Sequence, residues 1–354
     1  MKLHKKNQTA RAFTLVEVIV TIVILVALMA LTGTMVANTQ KTIRSAKNEA
    51  SQFREARRAF DTITTRLSQA TLNTYWDYDD PAEPTSYIRQ SELHFTSGPA
   101  NDLLNSGAFS GHGVFFVAPF GFAGSDAVGG NAVTDPYRDL ESLLNAWGFF
   151  VSYSEDPKVP PFIEAKSWYQ KQSRFRLLEF RQPSENLSIY TKDLRKEDKR
   201  DDISNWFREA HDPTGPNTRV VADNILALII SPRKSVVDDS PENPWDIAPE
   251  YVYDSRESQW GSQNERTQRN HNQLPPLMEV TMVAVDGRTW KSYQAKNGTT
   301  PPDFGINTLF RKAENYENDI KTLKNTLNAE GLEYRIFSAT VGMRTAKWSD
   351  DIIK

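Results

Sequence analysis

One carboxylate interrupts an apolar run near the amino terminus. Between Thr14 and Ala37 the only ionisable residue is Glu17. A carboxylate in an apolar helix costs on the order of a few kcal/mol unless it is paired or near the surface, so it calls for a partner. If the chain is cut between Ala12 and Phe13, the new α-amino group lies one helical turn before Glu17 and is mostly charged at neutral pH. That amine, on the same chain or on a neighbour, is a natural counter-charge for Glu17.

The remaining residues offer little that suggests catalysis or metal binding. Cysteine is absent, and the sequence has no G-x-S-x-G, P-loop, G-x-G-x-x-G or H-E-x-x-H motif. Asp238, Asp239 and Asp246 could supply oxygen ligands for calcium, but they lack the D-x-D-x-D-G spacing, and a solvated loop is the preferred interpretation. The histidines occur singly, which favours structural or exposed roles over a triad or a zinc site; they are His4, His94, His112, His211 and His271. We therefore predict no enzyme activity, no cofactor and no bound metal.

Composition limits the class of protein. The chain has 354 residues, 39% hydrophobic and 25% charged, which is enough apolar material for a sizeable core. Acidic and basic residues nearly cancel, 45 against 42, for a formal charge of −3. No large basic field exists to hold a nucleic-acid backbone, so we predict no nucleic-acid partner.

The apolar run around Glu17 is long enough to cross a membrane. As a helix, residues 14–37 would extend roughly 36 Å, against a hydrocarbon layer of about 30 Å. The least interrupted part, Val18 to Leu31, is shorter and is also typical of a cleaved secretory signal. Hydropathy alone does not distinguish the two, and basic residues on both sides of the span leave the positive-inside count undecided.

The segment Ala12-Phe-Thr-Leu-Val-Glu-Val, after a short basic leader, resembles the prepilin processing signal of type IV pilins and type II secretion pseudopilins. The resemblance implies that a prepilin peptidase removes residues 1–12 on the cytoplasmic face, and that Phe13 is methylated. It also implies a retained single-pass helix in inner-membrane lipid, residues 13–37, and assembly with other pilin-like subunits through Phe13, Leu15 and Glu17. The family usually has Gly where this chain has Ala12.

Two other interpretations of the N-terminal segment stay open. One is an uncleaved signal anchor. The other is a conventional secretory signal cut near Gly33 or Ala37, where the chain has no good A-x-A site.

After Ala37, apolar residues continue at intervals of three and four, which predicts an amphipathic helix with a narrow apolar stripe. No proline occurs before Pro81, so one helix from Phe13 to about Tyr75 is permitted, and residues 38–78 are assigned to this stalk. The stripe is expected to pack on the chain's own domain. Its members are Ile43, Ala46, Ala50, Phe53, Ala56, Phe60, Ile63, Leu67 and Ala70.

Residues 79–354 are predicted to form a globular, strand-rich domain. Alternating residues such as Trp147, Phe149, Val151 and Tyr153 predict half-buried strands, and the whole chain predicts an α+β, pilin-like fold: a long N-terminal helix packed on an antiparallel sheet. The predicted strands are Leu93 to Thr96, Gly113 to Pro119, Ala146 to Ser154, Arg174 to Arg181, Asn224 to Ser231, Met278 to Asp286 and Leu332 to Arg344.

Shorter features complete this prediction. Helices are expected at Ile203 to Ala210 and at Leu309 to Ala329, the second stopped by Gly331. Lys192 to Asp202 and Ser235 to Pro276 are interpreted as solvated surface insertions. The segments Gly111-His-Gly and Gly121-Phe-Ala-Gly are typical of turn glycines around a strand.

Four sequence blocks together resemble a narrower pilin-like family, Verru_Chthon cassette protein C. They begin at Arg66, Leu144, Arg174 and Val221 and read RLSQATLNTYWDY, LNAWGFFV, RFRLLEF and VADNILALI. A more distant likeness, through Pro276-Leu-Met-Glu-Val, is to J-type minor pseudopilins, which cap the tip of a pseudopilus.

Two hypotheses of function follow. The first is a non-enzymatic subunit of a type IV pilus or type II secretion-like fibre, anchored in the inner membrane with its C-terminal domain periplasmic or in the fibre. The second is a membrane-tethered periplasmic binding or adhesive domain that uses the prepilin-like signal only for export. A periplasmic hydrolase is a distant third.

Overall fold

The computed structural model describes residues 14–80, 82–123, 142–155, 159–167, 169, 172–193, 195–197, 199–212, 215–235 and 243–349, with backbone alone for 45–46 and 48–52. Ala12, Phe13, Asp238 and Asp239 therefore lie outside the described residues. The chain divides into two compact units, Met1–Ser51 and Gln52–Lys354.

The described residues form nine α-helices and eleven strands. The helices are α1 (Leu15–Leu67), α2 (Ala100–Leu103), α3 (Pro161–Glu164), α4 (Arg200–Ile203), α5 (Asn205–Arg208), α6 (Glu257–Trp260), α7 (Glu265–Asn270), α8 (Gly287–Asn297) and α9 (Tyr316–Ala329). The strands are β1 (Tyr75–Tyr78), β2 (Tyr87–Gln90), β3 (Thr96–Pro99), β4 (Phe109–Pro119), β5 (Leu144–Glu155), β6 (Ser173–Gln182), β7 (Thr218–Asp223), β8 (Ile225–Arg233), β9 (Tyr253–Asp254), β10 (Leu277–Val285) and β11 (Tyr334–Gly342).

Nine of these strands belong to one sheet, with the main order β11-β10-β8-β4-β5-β6-β7. β3 pairs with both β4 and β9 at the side of this path. Every pairing is antiparallel except a single parallel bridge, Gly111 in β4 to Leu228 in β8, which joins the two halves. β1 and β2 form a separate antiparallel hairpin. The α+β prediction, a long helix followed by antiparallel sheet, is confirmed.

The predicted stripe on α1 packs into the core of the second unit. Phe53, Ala56, Phe60, Ile63 and Leu67 are all buried, and the rings of Phe60 and Phe337 of β11 are 5.9 Å apart. The stripe is therefore confirmed from residue 53 onward. Among the earlier predicted positions, Ile43 is exposed, while the side chains of Ala46 and Ala50 are not described.

The helix ends earlier than predicted, at Leu67 rather than near Tyr75. The Thr71 backbone N–H donates to the Val117 carbonyl, 2.8 Å away, and the chain then enters β1. Residues 71–78 are rich in threonine and aromatic side chains, which favour an extended backbone over a helix. The part of the predicted stalk from 68 to 78 is thus turn and strand.

The strand prediction identified the right segments but underestimated their burial. β4, β5, β6, β8, β10 and β11 overlap predicted strands, whereas the predicted strand Leu93 to Thr96 meets β3 only at Thr96. The strands β1, β2, β7 and β9 and the helices α2, α3, α6, α7 and α8 were missed. In β5, Phe149 faces the cluster that contains α1, while Phe150 faces a second cluster with Trp206 and Phe207. Both faces of the strand are covered, so the expectation of a half-buried strand is wrong for β5.

The two segments interpreted as surface insertions differ in their burial. The described part of Ser235 to Pro276 is largely buried rather than solvated, because β9 pairs with β3 and Tyr251, Tyr253 and Arg256 lie in the interior. None of the described residues of the Lys192 to Asp202 segment is buried, and the segment carries a Lys192–Asp202 ion pair, as expected of a solvated loop. Gly331, with φ +68°, ends α9 as predicted, although α9 begins at Tyr316 rather than Leu309.

Gly111 lies inside a strand rather than in a turn around one. It sits in β4 where the pairing register to β5 shifts, with φ +71°, and a Cβ there would lie 2.5 Å from the Leu228 carbonyl oxygen. Only glycine combines this left-handed backbone with so close an approach. The bulge is thus the point at which the two halves of the sheet meet.

We predict that Gly111→Ala lowers the free energy of unfolding by about 2 kcal/mol or more, because it adds a left-handed backbone penalty to a backbone clash. Gly342→Ala is the matched control: a Cβ there meets nothing within 4 Å. Urea unfolding of both variants measures the difference, and equal stability would contradict this account of the bulge.

Candidate functional site

The first unit presents an apolar helical surface that nothing in the described chain covers. Leu15–Arg44 is a 30-residue stretch of α1 that reaches a mean hydropathy of 2.8 over 18 residues, and none of it is buried. Its length is roughly 45 Å, more than the hydrocarbon thickness of about 30 Å. It is the one helix among the described residues that is long and apolar enough to span a membrane. A core helix of a soluble protein would instead be mostly buried.

Threonine hydroxyls within this surface are satisfied by the helix itself. Thr21 donates to the Glu17 carbonyl at 2.6 Å, Thr32 to the Leu28 carbonyl at 2.9 Å and Thr34 to the Leu31 carbonyl at 2.8 Å. Polar groups are expensive in hydrocarbon only when they lack a partner. The three threonines are therefore compatible with a lipid environment.

Glu17 and Thr14 cap the start of α1. The Glu17 backbone N–H donates to Thr14 Oγ1 at 3.3 Å, and the Thr14 backbone N–H donates to Glu17 Oε2 at 3.4 Å. This reciprocal pattern is a capping box, and the T-x-x-E spacing in the sequence could have revealed it. Glu17 therefore has a local role that the sequence analysis missed. These hydrogen bonds use part of the carboxylate's accepting capacity, but they supply no counter-charge.

The predicted processing and assembly residues are only partly described. Ala12 and Phe13 lie outside the described residues. Leu15 is 76% exposed in the first turn of α1, and Glu17 is exposed half a turn further on. The structure therefore leaves the Glu17 carboxylate accessible near the start of the helix.

Two buried histidines have both ring nitrogens in use. His94 Nε2 lies 2.7 Å from Asp254 Oδ1, and its Nδ1 accepts a hydrogen bond from Trp206 Nε1 at 3.0 Å. His112 Nδ1 accepts from the Ile230 backbone N–H at 3.0 Å, and Nε2 donates to the Phe310 carbonyl at 3.1 Å. With no ring nitrogen left over, these histidines tie distant segments together. The contacts join residues more than 100 positions apart, so sequence spacing could not reveal them.

Asp254, the buried partner of His94, also makes structural contacts. Burial opposes ionisation of Asp254, but its pKa is nevertheless lowered, by His94 and by the hydrogen bond from the Arg256 backbone N–H. Within the part of the chain that the structure describes, no group of three or more His, Asp or Glu side chains could hold a metal ion. Asp246 is described, but without its predicted companions Asp238 and Asp239.

Acid should destabilise the second unit through two histidines whose pKa values are lowered in the folded chain. Burial lowers the pKa of His112 to about 4, and burial together with the charges of Arg256 and Arg89 lowers that of His271 to about 4. An unfolded histidine titrates near 6.5, so between pH about 6.5 and 4 the unfolded chain binds protons that the folded chain does not. Stability is present above this window and falls as the pH drops through it, by up to about 3 kcal/mol for each group.

Urea unfolding at about pH 7 and about pH 4.5 measures this loss. Equal stability of the unaltered chain at both pH values would contradict the lowered pKa values of His112 and His271.

Comparison with known proteins identifies the N-terminal segment. Residues 7–33 match the prokaryotic N-terminal methylation motif, so the match covers the predicted cleavage position, Glu17 and most of the apolar run. None of the curated proteins and none of the solved structures matches the chain significantly. The chain therefore carries a type IV pilin-like prepilin signal that leads into an apolar helix suited to a single-pass membrane anchor.

Proposed function

We propose that this protein is a non-enzymatic, minor pseudopilin-like subunit of a type IV pilus or type II secretion-like fibre. A prepilin peptidase cuts between Ala12 and Phe13, and the retained helix anchors the subunit in the inner membrane until it joins other pilin-like subunits. One observation carries the proposal: the methylation motif leads directly into a helix of 30 residues whose apolar surface is wholly exposed.

The energetics of that surface require a partner. A fully buried valine, leucine or isoleucine gains roughly 1.5–3 kcal/mol relative to the same side chain in water. Apolar side chains in this stretch, among them Leu15, Val23, Met29, Leu31 and Met35, are more than 60% exposed. Lipid before assembly, and the helices of neighbouring subunits afterwards, are the two environments that cover such a surface.

Glu17 favours one axial register in the association of these helices. Its carboxylate lies near the start of the helix, where cleavage would place a new amine. In a hydrocarbon-like surrounding an unpaired carboxylate is costly, so pairing with a neighbour's amine favours one axial register of the two helices. The capping box gives the Glu17 carboxylate no counter-charge, and the neighbour's amine supplies one.

Cleavage also changes the charge of the exported part. Loss of residues 1–12 removes Lys2, Lys5, Lys6 and Arg11, which moves the formal balance from −3 to −7. The C-terminal unit then faces the periplasm or the outside of the fibre as a mildly acidic domain.

The absence of enzyme activity is part of the proposal. It is supported by His94 and His112, whose ring nitrogens are occupied by structural hydrogen bonds. Membership of the Verru_Chthon cassette protein C family is likewise proposed, on the four sequence blocks. Side chains from three blocks meet in the fold: Trp147 Nε1 donates to the buried Glu179 carboxylate at 2.8 Å, and Arg66 pairs with that carboxylate.

We predict that the mature protein begins at Phe13 with a methylated amine, because the peptidase removes residues 1–12 and the helix is retained. Mass spectrometry of the N-terminal peptide from membrane fractions measures this. A chain that begins at Met1, or beyond Val36, would contradict processing of the prepilin type.

We predict that Glu17→Gln blocks assembly while leaving the protein folded and inserted in the membrane. Glutamine preserves the capping box but removes the charge. Thr14→Ala is the converse control, because it weakens the cap by about 1 kcal/mol and keeps the charge, so assembly should persist. Crosslinks between residues 13–60 of different chains, in cells that contain the partner subunits, report assembly.

These variants also separate the two hypotheses of function. If the chain is only a membrane-tethered domain, the unaltered protein gives no such crosslinks and Glu17→Gln has no effect. Normal crosslinking of Glu17→Gln would instead show that capping or packing, rather than charge pairing, sets the register.

A further inference from the structure

The β1–β2 hairpin displays an aromatic face. The pairs Trp76–Arg89 and Tyr78–Tyr87 lie directly opposite one another across the two strands, so their side chains share one face. Trp76, Tyr78 and Tyr87 are 55%, 45% and 57% exposed. The two tyrosine rings stack with centroids 5.0 Å apart. Three of the five large apolar or aromatic side chains that are exposed in the described part of residues 52–354 thus lie on this one hairpin.

The hairpin is held rigidly at its far end. Asp79 accepts hydrogen bonds from the backbone N–H groups of Thr85 and Ser86, at 2.9 and 3.1 Å, and pairs with the Thr85 hydroxyl. These hydrogen bonds lower the pKa of Asp79 below its usual range, so the carboxylate stays charged. The loop between the strands is therefore closed by its own side chains.

At the near end, the hairpin is tied to the segment after α7. Thr74 donates to the Asn272 carbonyl at 2.7 Å, and Asn272 Nδ2 donates to the Arg89 carbonyl at 2.8 Å. The Arg89 guanidinium donates to the carbonyls of Gln268 and Arg269, each at 3.3 Å. The aromatic face is thus presented on a preorganised support, which reduces the entropy lost on binding.

A cavity of about 520 Å³ opens beside Trp76. Its volume is in the range of small-molecule sites. Its wall combines Trp76 with hydroxyl, amide and cationic groups, including Thr74, Gln273, Arg89 and Lys347. No Asp or Glu is among the described residues that line it. Asn272, fully buried, also lines the cavity, and its Oδ1 has no hydrogen-bond partner in the described chain.

We propose that this face and cavity bind an acidic polysaccharide. Pyranose rings have apolar C–H faces that stack on aromatic rings, and Trp76 and Tyr78 lie roughly 7 Å apart along one strand face. Asn272 Oδ1, which lacks a partner in the described chain, can accept a hydrogen bond from a ring hydroxyl of the sugar. Lys347, which is exposed, and Arg89 both line the cavity, and their positive charges favour a uronic carboxylate there.

The charge distribution favours one orientation of the polysaccharide on this surface. Asp79 and Asp80 lie at the loop end of the hairpin, beside Tyr78 and Tyr87, whereas the cations lie at the Trp76 end. The acidic sugar therefore enters the cavity, and less charged parts of the chain cover the tyrosine pair. This interaction surface shares no residue with the helix on which the proposed assembly depends.

Isothermal titration calorimetry of the full chain tests the proposal, in a detergent without a sugar headgroup. The probes are an alginate hexasaccharide, which is a uronic acid oligomer, and neutral cellohexaose. We expect the alginate oligomer to bind more tightly than cellohexaose. Trp76→Ala should weaken binding of the alginate oligomer by about tenfold or more, as loss of an aromatic stacking platform implies. Lys347→Gln should remove the preference for the acidic probe.

Two controls make the result specific. Phe162 is 69% exposed in α3, away from this hairpin in sequence, and Phe162→Ala should leave binding unchanged. Glu17→Gln should also bind normally, so that failure of assembly and failure of sugar binding can be told apart. Circular dichroism verifies that each variant is folded.

Absence of binding to both probes would overturn the proposal, as would equal binding by Trp76→Ala and the unaltered chain. If Trp76→Ala instead loses crosslinks to partner subunits while neither probe binds the unaltered chain, the aromatic face is a protein contact and the polysaccharide assignment is wrong.

Discussion

The exposed apolar surface of Leu15–Arg44 is the constraint on which the functional interpretation depends. Thirty residues without burial, with a mean hydropathy that reaches 2.8 over 18 residues, cannot remain in water at acceptable cost. The backbone and the threonine hydroxyls of this helix make their hydrogen bonds within the helix, so its surface needs only an apolar environment. Glu17 is the exception within it, because its capping hydrogen bonds leave a net charge that lipid cannot stabilise.

A second charged group governs how the later part of α1 joins the sheet. Glu179 in β6 is completely buried and pairs with Arg66 of α1 and Arg219 of β7, while the Arg66 guanidinium lies 4.2 Å from the Trp147 ring centroid. Burial lowers the pKa of Arg66, and the Glu179 charge opposes that effect. Removal of one partner would leave a buried charge, so this cluster specifies where the helix ends on the sheet.

The polar groups of the second unit have two different uses. His94, His112, Asp254 and Arg256 are buried and engaged with neighbouring segments, so they specify the packing of long connections. The hairpin and its cavity are the opposite case. Aromatic rings there are exposed beside a cavity, and the buried Asn272 Oδ1 atom that lines it has no hydrogen-bond partner in the described chain. The proposed ligand is placed at the hairpin for these reasons.

Much of this protein could be predicted from sequence, because its strongest signals are local. The prepilin-like signal around Glu17 is recognised from the residue types, their spacing and the hydropathy of one continuous segment. The apolar stripe from Phe53 to Leu67 is recognised from helical periodicity alone. Six strands could be located by their apolar residues. The end of α1 at Leu67 was misjudged because the competing interaction, Thr71 with Val117, is distant in sequence.

Other features were decided by the tertiary structure alone. The β4 bulge at Gly111 requires the approach of β8. The burial of Tyr251 and Arg256 requires the pairing of β9 with β3. The many polar residues of the surrounding segment had indicated a solvated loop instead. The cavity beside Trp76 combines residues from positions 72 to 349. Sequence by itself determined the apolar N-terminal helix and its prepilin-like methylation motif, because both are properties of one continuous segment. Only the fold could bring together the bulge, the buried histidine contacts and the aromatic hairpin with its cavity, because each depends on contacts between distant parts of the chain.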